Sequence, residues 1–327
     1  MVDSKHSVDI LSLLKKRTSF VSGAEIATTL GITRAAVWKR ISRLRKEGYS
    51  IEALPAKGYR LAGVPEFSVK EALSSLGQLK TFSADNILFY PALASTNATA
   101  VEIAGTGCPD GTVVVADAQS AGRGRMARIW NSPPGVNIYM SIVLRPAIAV
   151  RDAAVLTLLT GVACAKALHH CSGTEISLKW PNDLLIGNRK VGGILTELRA
   201  DPDRIQFAVI GIGINVNYHK EHMPRDISEI ATSLAHESRM RFSRTEVFAT
   251  VILQMDKWLN IFENHGKKPV LDEWLTLSST IGKKVTISTH RGTLHGLAEA
   301  LDDEGFLLVR VDDGSLQHIH TGDVTYV

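Results

Sequence analysis

Cysteine is scarce in this chain of 327 residues, which has only Cys108, Cys164 and Cys171. Three thiols cannot all pair, and no Cys-x-x-Cys spacing occurs, so neither a disulfide framework nor a cysteine-based zinc site is expected. His169 and His170 precede Cys171, and we interpret this cluster as the end of a helix rather than a set of metal ligands. Hydrophobic residues make up 45% of the chain and charged residues 21%, which is typical of a globular protein.

Long apolar runs and the common nucleotide-binding fingerprints are also missing. No stretch of 18 or more apolar residues predicts a membrane-spanning helix. Residues 3–6 are polar, unlike a secretory signal, so a cytoplasmic location without a membrane partner is expected. Residues 105–108 and 211–213 are glycine-rich but do not fit G-x-G-x-x-G, and G-x-x-x-x-G-K-[ST] does not occur. Any nucleotide must therefore bind to a different kind of loop.

Charge is distributed unevenly along the chain. Residues 1–62 contain 12 Lys and Arg against 5 Asp and Glu, whereas the remainder contains 25 against 28. The basic excess therefore lies entirely in the first fifth of the sequence. Such an excess indicates one polyanion-binding module on a mildly acidic protein, and the length fits two or three domains.

Apolar periodicity predicts three short helices in this basic segment. The first covers about residues 8–17, and the second is stopped by Gly31. Thr33 is a good N-cap for the third helix, which Gly48 ends. A helix, a short glycine turn and a second helix form the helix-turn-helix arrangement.

Alternation over residues 50–61 predicts a two-stranded wing after the third helix. Small and basic residues exposed on a recognition helix suit base edges and phosphates, respectively. The expected DNA-binding residues are Thr33, Arg34, Ala35, Ala36, Trp38, Lys39, Arg40 and, at the wing tip, Lys57. A winged-helix domain used for protein contacts is the alternative.

The rest of the chain predicts an α+β fold with a separate β-rich end. A linker with one short helix is expected at residues 65–82. Strands are predicted over residues 87–90, 112–117, 137–144, 176–179, 184–186, 190–198 and 205–215, and long helices over residues 151–171 and 244–264. Because strands and helices mix without strict β-α-β alternation, an α+β class is favoured over a doubly wound one. Strands over residues 284–288, 293–301, 306–311 and 316–320 predict a small SH3-like barrel.

The loop at residues 121–130 has the composition of a phosphate site. It contains two glycines, three arginines and a tryptophan: Gly122, Arg123, Gly124, Arg125, Arg128 and Trp130. The glycines let backbone N–H groups approach an anion, and the guanidinium groups are permanently charged forks for phosphate or carboxylate. Repulsion among the arginines should keep the loop mobile until an anion binds.

Further polar residues follow predicted strands. A Lys-Trp-Pro-Asn-Asp run places Asn182 and Asp183 at a strand end, where Asp183 could hold Mg²⁺ or orient an amine. Lys190 precedes two glycines and could neutralise a carboxylate that attacks phosphorus. Asn215 offers an amide that could bind a nucleobase edge.

In this order the motifs resemble those of the biotin–protein ligases, and in particular the bifunctional members that also repress a biotin operon. The resemblance covers nearly the whole chain. It implies a winged helix-turn-helix domain at residues 1–64, a catalytic α+β domain of the class II synthetase-like type at residues 83–275, and an SH3-like domain at residues 278–327.

The resemblance also implies a two-step reaction that uses biotin, ATP and Mg²⁺. The biotin carboxylate attacks the α-phosphate of ATP to form biotinyl-5′-AMP, and a lysine of a biotin carboxyl carrier protein then takes the biotin. Arg125, Lys190 and Asp183 are the implied catalytic residues. Operator DNA is a further implied partner, and a ligand-promoted homodimer could pair strands near residues 191–198 or 205–215.

The family pattern assigns the remaining site residues. The implied biotin-binding residues are Ser95, Thr96, Asn97, Gln119, Gly122, Arg123, Gly124, Arg125, Trp130, Lys190, Gly192 and Gly193. The implied nucleotide-binding residues are Arg125, Arg128, Asn182 and Asn215. The loop departs from the pattern at Met126, Ala127 and Ile129, which replace basic and glycine residues and should reduce its charge repulsion and flexibility.

Three alternatives compete with this interpretation. A ligand-sensing repressor without enzyme activity is disfavoured because Arg125, Lys190 and Asp183 are all present. A lipoate-type ligase is disfavoured by the DNA-binding module and the Lys-Trp-Pro-Asn-Asp run. A pure enzyme with a vestigial N-terminal domain stays open.

Overall fold

Three helices and a two-stranded sheet build the N-terminal unit, Met1–Ser68. α1 is helical from residue 10 to residue 15, α2 spans Gly23–Leu30 and α3 spans Arg34–Lys46. Their buried apolar side chains form one core, whose largest members are Ile10, Leu14, Ile26, Val37, Ile41 and Leu44. The predicted arrangement of three helices is therefore confirmed.

The structure is a computed structural model that describes residues 10–46, 49–63, 67–74, 76–289 and 292–327. Four sequence expectations fall outside those residues. They are the start of the first helix at Val8, the end of the third helix at Gly48, the domain boundary between residues 64 and 65, and residues 290–291 between the strands predicted at residues 284–288 and 293–301.

The residues predicted to end the second helix and to begin the third helix do so in the structure. Gly31 ends α2 in the left-handed conformation, with φ of 62°. The Ala36 N–H donates to Thr33 Oγ1 at 3.1 Å, so Thr33 caps α3. These two residues fix the turn between the second and third helices.

Arg40 is a correction to the expected DNA-binding face. Its side chain is buried, with 8% exposure, whereas Arg34, Trp38 and Lys39 are exposed. Arg40 lies three residues after Val37, on the side of α3 that packs against the other helices. Arg34 and Lys39 are exposed as expected, but the helical period turns Arg40 toward the core.

The predicted wing is confirmed. β1 (Ser50–Leu54) pairs antiparallel with β2 (Gly58–Gly63), and the turn between them exposes Lys57. Val21 and Tyr59 exchange two backbone hydrogen bonds of 2.8 Å, which tie the wing to the helices. Gly58 has φ of 104°, and a Cβ placed there would lie 2.1 Å from the Val21 carbonyl oxygen.

Gly58→Ala should therefore loosen the N-terminal unit selectively. The substitution forces a side chain into left-handed backbone and against another main chain, which should cost about 2 kcal/mol or more. Hydrogen exchange of the full chain should accelerate in α2, α3 and the wing. Gly63→Ala is the control, because its Cβ would meet only Ser50 Cβ at 3.5 Å; equal exchange in both variants would contradict the prediction.

The second unit, Val69–Val327, is built on a seven-stranded mixed sheet. Its strands are β3 (Ile87–Tyr90), β4 (Thr112–Ala116), β5 (Ile138–Leu144), β6 (Ser177–Lys179), β7 (Asp183–Ile186), β8 (Arg189–Ala200) and β9 (Ile205–Ile214). The order across the sheet is β3-β4-β5-β9-β8-β7-β6, and only β3 and β4 pair in parallel. The seven predicted strands and the α+β class are confirmed.

Helices accompany this sheet in the second unit. They are α4 (Val69–Ser74), α5 (Thr96–Gly105), α6 (Ala154–Ser172), α7 (Arg225–Ser228), α8 (Leu234–Ser238), α9 (Arg244–His265) and α10 (Lys268–Leu277). The segment Val150–Ser172 is long and apolar enough to cross a membrane by length and composition, but 67% of that window is buried inside the fold. We therefore interpret α6, which packs against α9, as a core helix.

The order of the strands corrects the expectation of a pairing edge at residues 205–215. β9 is hydrogen-bonded to β5 on one side and to β8 on the other, so it has no open edge. β8 differs along its length, because β7 pairs with it only from Arg189 to Gly193. Within the described part of the chain, no strand pairs with the outer side of β8 from residue 194 onward.

The C-terminal strands form a separate antiparallel sheet. They are β10 (Lys284–Thr289), β11 (Gly292–Leu301), β12 (Leu307–Val311), β13 (Leu316–Ile319) and β14 (Asp323–Tyr326), in the order β13-β12-β11-β10-β14. The four predicted strands are confirmed, while β14 was not predicted. Among the described residues, the end strands β13 and β14 do not pair with each other.

Candidate active site

A cavity of about 550 Å³ opens where α5, β8, β9, the loop at residues 121–130 and β14 meet. Most of the residues predicted from the sequence line it: Ser95, Thr96, Asn97, Gln119, Arg123, Gly124, Arg125, Arg128, Trp130, Asn182, Asp183, Lys190, Gly193 and Asn215. Residues from five separate stretches of sequence are thus brought to one place. Concave sites with a few convergent polar groups are the usual form of ligand sites.

Two of the predicted residues lie behind the cavity wall instead of on it. A Cβ at Gly122 would lie 2.4 Å from the Trp130 carbonyl oxygen, and one at Gly192 would lie 3.0 Å from the Gly213 carbonyl oxygen. Both glycines are therefore needed for close contact between backbones. Their place in the motif is explained by packing.

Trp130 forms one wall by lying flat on the central strands. A Cβ at Gly213 would lie 2.5 Å from Trp130 Cε2, and one at Gly193 would lie 3.1 Å from Trp130 Cζ3. Lys190 Nζ lies 5.4 Å from the centre of a Trp130 ring, within reach of a cation–π contact. The glycines of β8 and β9 thus make room for an aromatic wall.

The N-terminus of α5 supplies the polar end of the cavity. Ser95 caps the helix by accepting from the Ala98 N–H at 3.4 Å. The backbone N–H and hydroxyl of Thr96 both donate to Gln119 Oε1, at 2.8 and 3.1 Å. Donors and acceptors at this end suit a ligand with a small polar ring.

Arg125 joins three parts of the second unit. Its Nη1 donates to Asn182 Oδ1 at 3.2 Å and to the Gly322 carbonyl at 3.3 Å, and its Nη2 donates to Thr321 Oγ1 at 3.2 Å. Burial lowers the pKa of the Arg125 guanidinium, and the nearby carboxylates, Asp323 first, act in the opposite direction. An arginine titrates so far above neutrality that it stays a cation here.

Arg128 forms an ion pair with Asp323 of β14. The two loop arginines therefore both reach the C-terminal sheet, since Arg125 Nη1 also lies 3.9 Å from Asp323 Oδ1. Arg128 is 68% exposed, so this pair contributes little stability by itself. A bound polyphosphate can compete with one carboxylate for these two cations.

Two residues that depart from the family pattern in this loop have an unusual backbone conformation. Met126 and Ala127 have φ of 54° and 57°, in the left-handed region that glycine adopts freely. Gly124 N–H donates to the Arg128 carbonyl at 2.8 Å, and Trp130 N–H donates to the Gly122 carbonyl at 2.9 Å, so the loop closes on itself as a narrow hairpin. Non-glycine residues in this conformation cost about 1 kcal/mol or more each.

Asp183 and Lys190 form an ion pair of 2.5 Å inside the cavity. Asp183 and Asp323 are the carboxylates that line it, and both already pair with a cation. Mg²⁺ in nucleotide sites is commonly held by one or two carboxylates together with substrate phosphates. Because Asp183 and Asp323 are each already paired with a cation, a magnesium ion at this place would be held mainly by the phosphates of a nucleotide.

Asn182 and Asn215, the two asparagines expected to bind the nucleotide, are each hydrogen-bonded to the protein. Asn182 Nδ2 donates to the Ile194 carbonyl at 2.8 Å, which leaves its oxygen for Arg125. Asn215 Nδ2 donates to the Thr232 carbonyl at 3.0 Å, and its oxygen accepts from Asn137 at 3.3 Å. Besides these two bonds, the Asn215 amide has a second N–H and a second oxygen lone pair to offer a ligand.

Sequence reasoning missed several residues of the cavity. Asp323 and Tyr326 come from the unpredicted strand β14. Lys179 opens the Lys-Trp-Pro-Asn-Asp run and lies with Nζ 5.2 Å from the Tyr326 ring, and burial lowers its pKa. The motif itself could have indicated Lys179, whereas nothing local in the sequence marks the other two.

The arrangement defines a class of protein: a helix-turn-helix unit joined to an enzyme unit whose arginine- and lysine-lined cavity suits carboxylate activation by a nucleotide. The model of the biotin/lipoate A/B protein ligase family matches residues 90–215, that of an HTH domain residues 7–60, and that of the biotin protein ligase C-terminal domain residues 280–325. The chain belongs to the family of bifunctional biotin ligase/repressors.

Curated relatives and a solved structure support this membership. The bifunctional ligase/repressor BirA of Bacillus spizizenii is 39% identical over 317 residues, which cover 97% of each chain. The BirA of Escherichia coli is 31% identical, over 95% of this chain and 94% of its own. A biotin protein ligase from Aquifex aeolicus, solved in complex with biotin and ATP, superposes with a TM-score of 0.64 at 28% identity, over 74% of this chain and 98% of that one.

Proposed function

We propose that this protein is an ATP-dependent biotin–protein ligase that also represses transcription by binding operator DNA. The observation that carries the enzyme proposal is the convergence of Arg125, Arg128 and Lys190 on one cavity whose far end holds Thr96 and Gln119. Cations surround the place for phosphates, and paired donors and acceptors surround the place for a polar ring. Relatives named for both activities cover nearly the whole chain.

In the first step the biotin carboxylate attacks the α-phosphorus of ATP, and pyrophosphate leaves. Arg125 and Lys190 stabilise the negative charge that develops on the phosphoryl oxygens. Ser95, Thr96 and Gln119 hydrogen-bond the ureido ring of biotin, and Trp130 covers its aliphatic tail. Mg²⁺ bound to the ATP phosphates supplies further charge neutralisation when it is present.

In the second step a lysine amine of a biotin carboxyl carrier protein attacks the mixed anhydride, and AMP leaves. Asp183, whose side chain lies in the cavity beside Lys190, orients this amine, and the amine loses its proton as the amide bond forms. No covalent link between enzyme and biotin is required. The hairpin at residues 121–130 limits water access, which protects the adenylate from hydrolysis.

Exchange of labelled pyrophosphate into ATP tests the first step. The full chain should catalyse exchange that depends on biotin and Mg²⁺, and lipoate should not replace biotin. Exchange with lipoate alone would favour the lipoate-type alternative. Absence of exchange with either acid would remove the enzyme proposal.

The DNA-binding proposal is supported by the exposed residues of α3 and the wing. Arg34, Trp38 and Lys39 are exposed on α3, and Lys57 is exposed at the wing tip. Phosphate contacts release counterions, so affinity should fall steeply as salt rises. The two BirA relatives are both named as repressors, which favours DNA over a protein partner for this module.

Lys57→Ala should weaken DNA binding uniformly across sequences and reduce the slope of log affinity against log salt by about 1. Arg40→Lys is the control on α3, because Arg40 is buried and should make no phosphate contact. Fluorescence anisotropy with a labelled duplex at several salt concentrations measures both. An unchanged slope for Lys57→Ala would contradict a phosphate contact at the wing tip.

We further propose that ligand binding promotes a homodimer through β8. Beyond Ile194, whose N–H donates to the Asn182 carbonyl at 3.0 Å, no described strand pairs with its outer edge, and an unpaired edge is a template for another strand. Antiparallel pairing of two identical strands about a two-fold axis would close both edges at once. Three further expectations remain proposals. The C-terminal sheet is an SH3-like barrel, and the catalytic part of the second unit has the class II synthetase-like fold. The protein acts in the cytoplasm.

A further inference from the structure

A continuous series of side-chain hydrogen bonds runs from the cavity to the open part of β8. Asn97 Nδ2 donates to Glu197 Oε2 at 2.6 Å and to the Leu195 carbonyl at 3.2 Å. Asn97 Oδ1 accepts from the Ser141 hydroxyl at 2.6 Å. Asn97 lines the cavity, and Glu197 lies on the stretch of β8 that no described strand pairs on its outer side.

The series continues from Ser141 toward the loop. The Ser141 oxygen lies 2.8 Å from Thr96 Oγ1, and Thr96 donates to Gln119 Oε1. Gln119 Nε2 donates to Ser132 Oγ at 2.9 Å, and the Ser132 hydroxyl donates to the Trp130 carbonyl at 2.9 Å. One end of the series is therefore the glycine–arginine loop, and the other end is Glu197.

The interior members are shielded from water, so their bonds are costly to lose. Asn97, Ser141 and Thr96 are at most 5% exposed. The Ser141 hydroxyl has one hydrogen for two nearby acceptors, Asn97 Oδ1 and Thr96 Oγ1. A ligand that bonds to the Thr96 hydroxyl would therefore compete with Ser141, the residue whose hydroxyl also reaches Asn97.

Glu197 could also contact a second copy of the chain at the outer edge of β8. In an antiparallel pair of β8 strands centred on Leu198, Glu197 of one copy lies directly opposite Arg199 of the other. Glu197, Leu198 and Arg199 are all exposed, and opposite charges across paired strands attract each other. A carboxylate has enough acceptor sites for Asn97 Nδ2 on one oxygen and a guanidinium on the other.

We propose that Glu197 is the positioning residue that couples occupancy of the cavity to pairing of β8 with a second copy of this chain. The coupling rests on the proposed homodimer. It acts through the Asn97–Glu197 hydrogen bond, which fixes the carboxylate that meets Arg199 across the two-fold axis. The partner is a second copy because the Glu197–Leu198–Arg199 segment complements itself in antiparallel pairing.

A charge exchange separates the two tasks of Glu197. In the double variant Glu197→Arg/Arg199→Glu, opposite charges still face each other across the axis, but residue 197 can no longer accept from Asn97. Glu197→Gln keeps an acceptor for Asn97 and loses the charge. Arg199→Ala is the matched control, because it removes the outer charge and leaves the hydrogen-bond series intact.

Sedimentation of the full chain, with and without biotin plus ATP, measures the dimer dissociation constant in each variant. For the natural chain, the dimer dissociation constant should fall about tenfold or more when biotin and ATP are added, which is within the usual range of coupling between sites. The Glu197→Gln and Arg199→Ala variants should dimerise more weakly in both conditions. The ratio of their dissociation constants without and with ligand should equal that of the natural chain. The charge-exchanged variant should dimerise with roughly the same constant in both conditions.

The outcomes distinguish this inference from the function on which it rests. A charge-exchanged variant that tightens as much as the natural chain would overturn the role of Glu197 while leaving the homodimer in place. A natural chain that stays monomeric with both ligands would overturn the homodimer and this inference together. Biotin-dependent pyrophosphate exchange by the same samples reports separately on the enzyme.

Discussion

Arg125→Ala should lower kcat/KM for adenylate formation by about 10²–10³-fold, the loss expected when one preorganised charge donor is removed. The guanidinium is partly buried and held by Asn182, Thr321 and the Gly322 carbonyl, so it is aimed before the substrates arrive. Water cannot replace a positioned cation at the same place. Biotin-dependent pyrophosphate exchange at saturating and limiting ATP measures the change.

Arg204→Ala is the control for this prediction. Arg204 is 79% exposed and its recorded ion pair is with Asp201 at 3.7 Å, outside the cavity. The Arg204→Ala substitution removes the same charge from the unit as Arg125→Ala does, so it controls for any general effect of net charge on the attraction of ATP. If Arg125→Ala retained exchange within about threefold of Arg204→Ala, the role of Arg125 in the transition state would be wrong.

Lys190→Ala should reduce the same exchange by a comparable factor, of about 10²–10³. Two effects act in the same direction. The cation at the phosphates is lost, and Asp183, which Lys190 neutralises at 2.5 Å, is left as an unpaired negative charge that repels ATP. The effect should therefore be larger on KM for ATP than on KM for biotin.

A double variant checks the second of these effects. Lys190→Ala/Asp183→Asn removes the repelling carboxylate, so it should recover part of the exchange that Lys190→Ala loses, because neighbouring charges are not additive. Biotin transfer should stay low in this variant, since the second step needs Asp183. If the double variant fell by the product of the two single losses, the two residues would act independently.

The sequence predicted the site well where its residues lie in local motifs. The loop at residues 121–130, the Ser95 cap and the Lys-Trp-Pro-Asn-Asp turn are each set by a few neighbouring residues, and all of them reach the cavity. Glycine positions were identified too, but with the wrong reason at Gly122 and Gly192. Their need for backbone contact with Trp130 and Gly213 appears only once the strands are paired.

Other features depend on tertiary structure and could not be read locally. Asp323 reaches the cavity because β14 pairs with β10 at one end of the C-terminal sheet, and four residues with one buried valine carry a weak strand signal. Arg40 was predicted to be exposed on the DNA-binding face of α3, but it is buried. Its position three residues after Val37 already indicated the core face of α3, so that error could have been avoided.

Strand order was the least predictable level. From the sequence, the strands at residues 190–198 and 205–215 were equally good candidates for an open edge. Of these two strands, the observed order encloses β9 and leaves the later part of β8 without a described partner strand on its outer side. Long-range pairing decides this, and the period of two within each strand contains no information about its neighbours.

Transfer of labelled biotin to a carrier domain tests the central claim most directly. The full chain with ATP, Mg²⁺ and biotin should label a biotin carboxyl carrier domain, and should not label the same domain with its acceptor lysine changed to arginine. Arg125→Ala should label it far more slowly, while Arg204→Ala should match the natural chain. Absence of transfer by the natural chain, or equal transfer by Arg125→Ala, would contradict the assignment of this cavity as a biotin–protein ligase site.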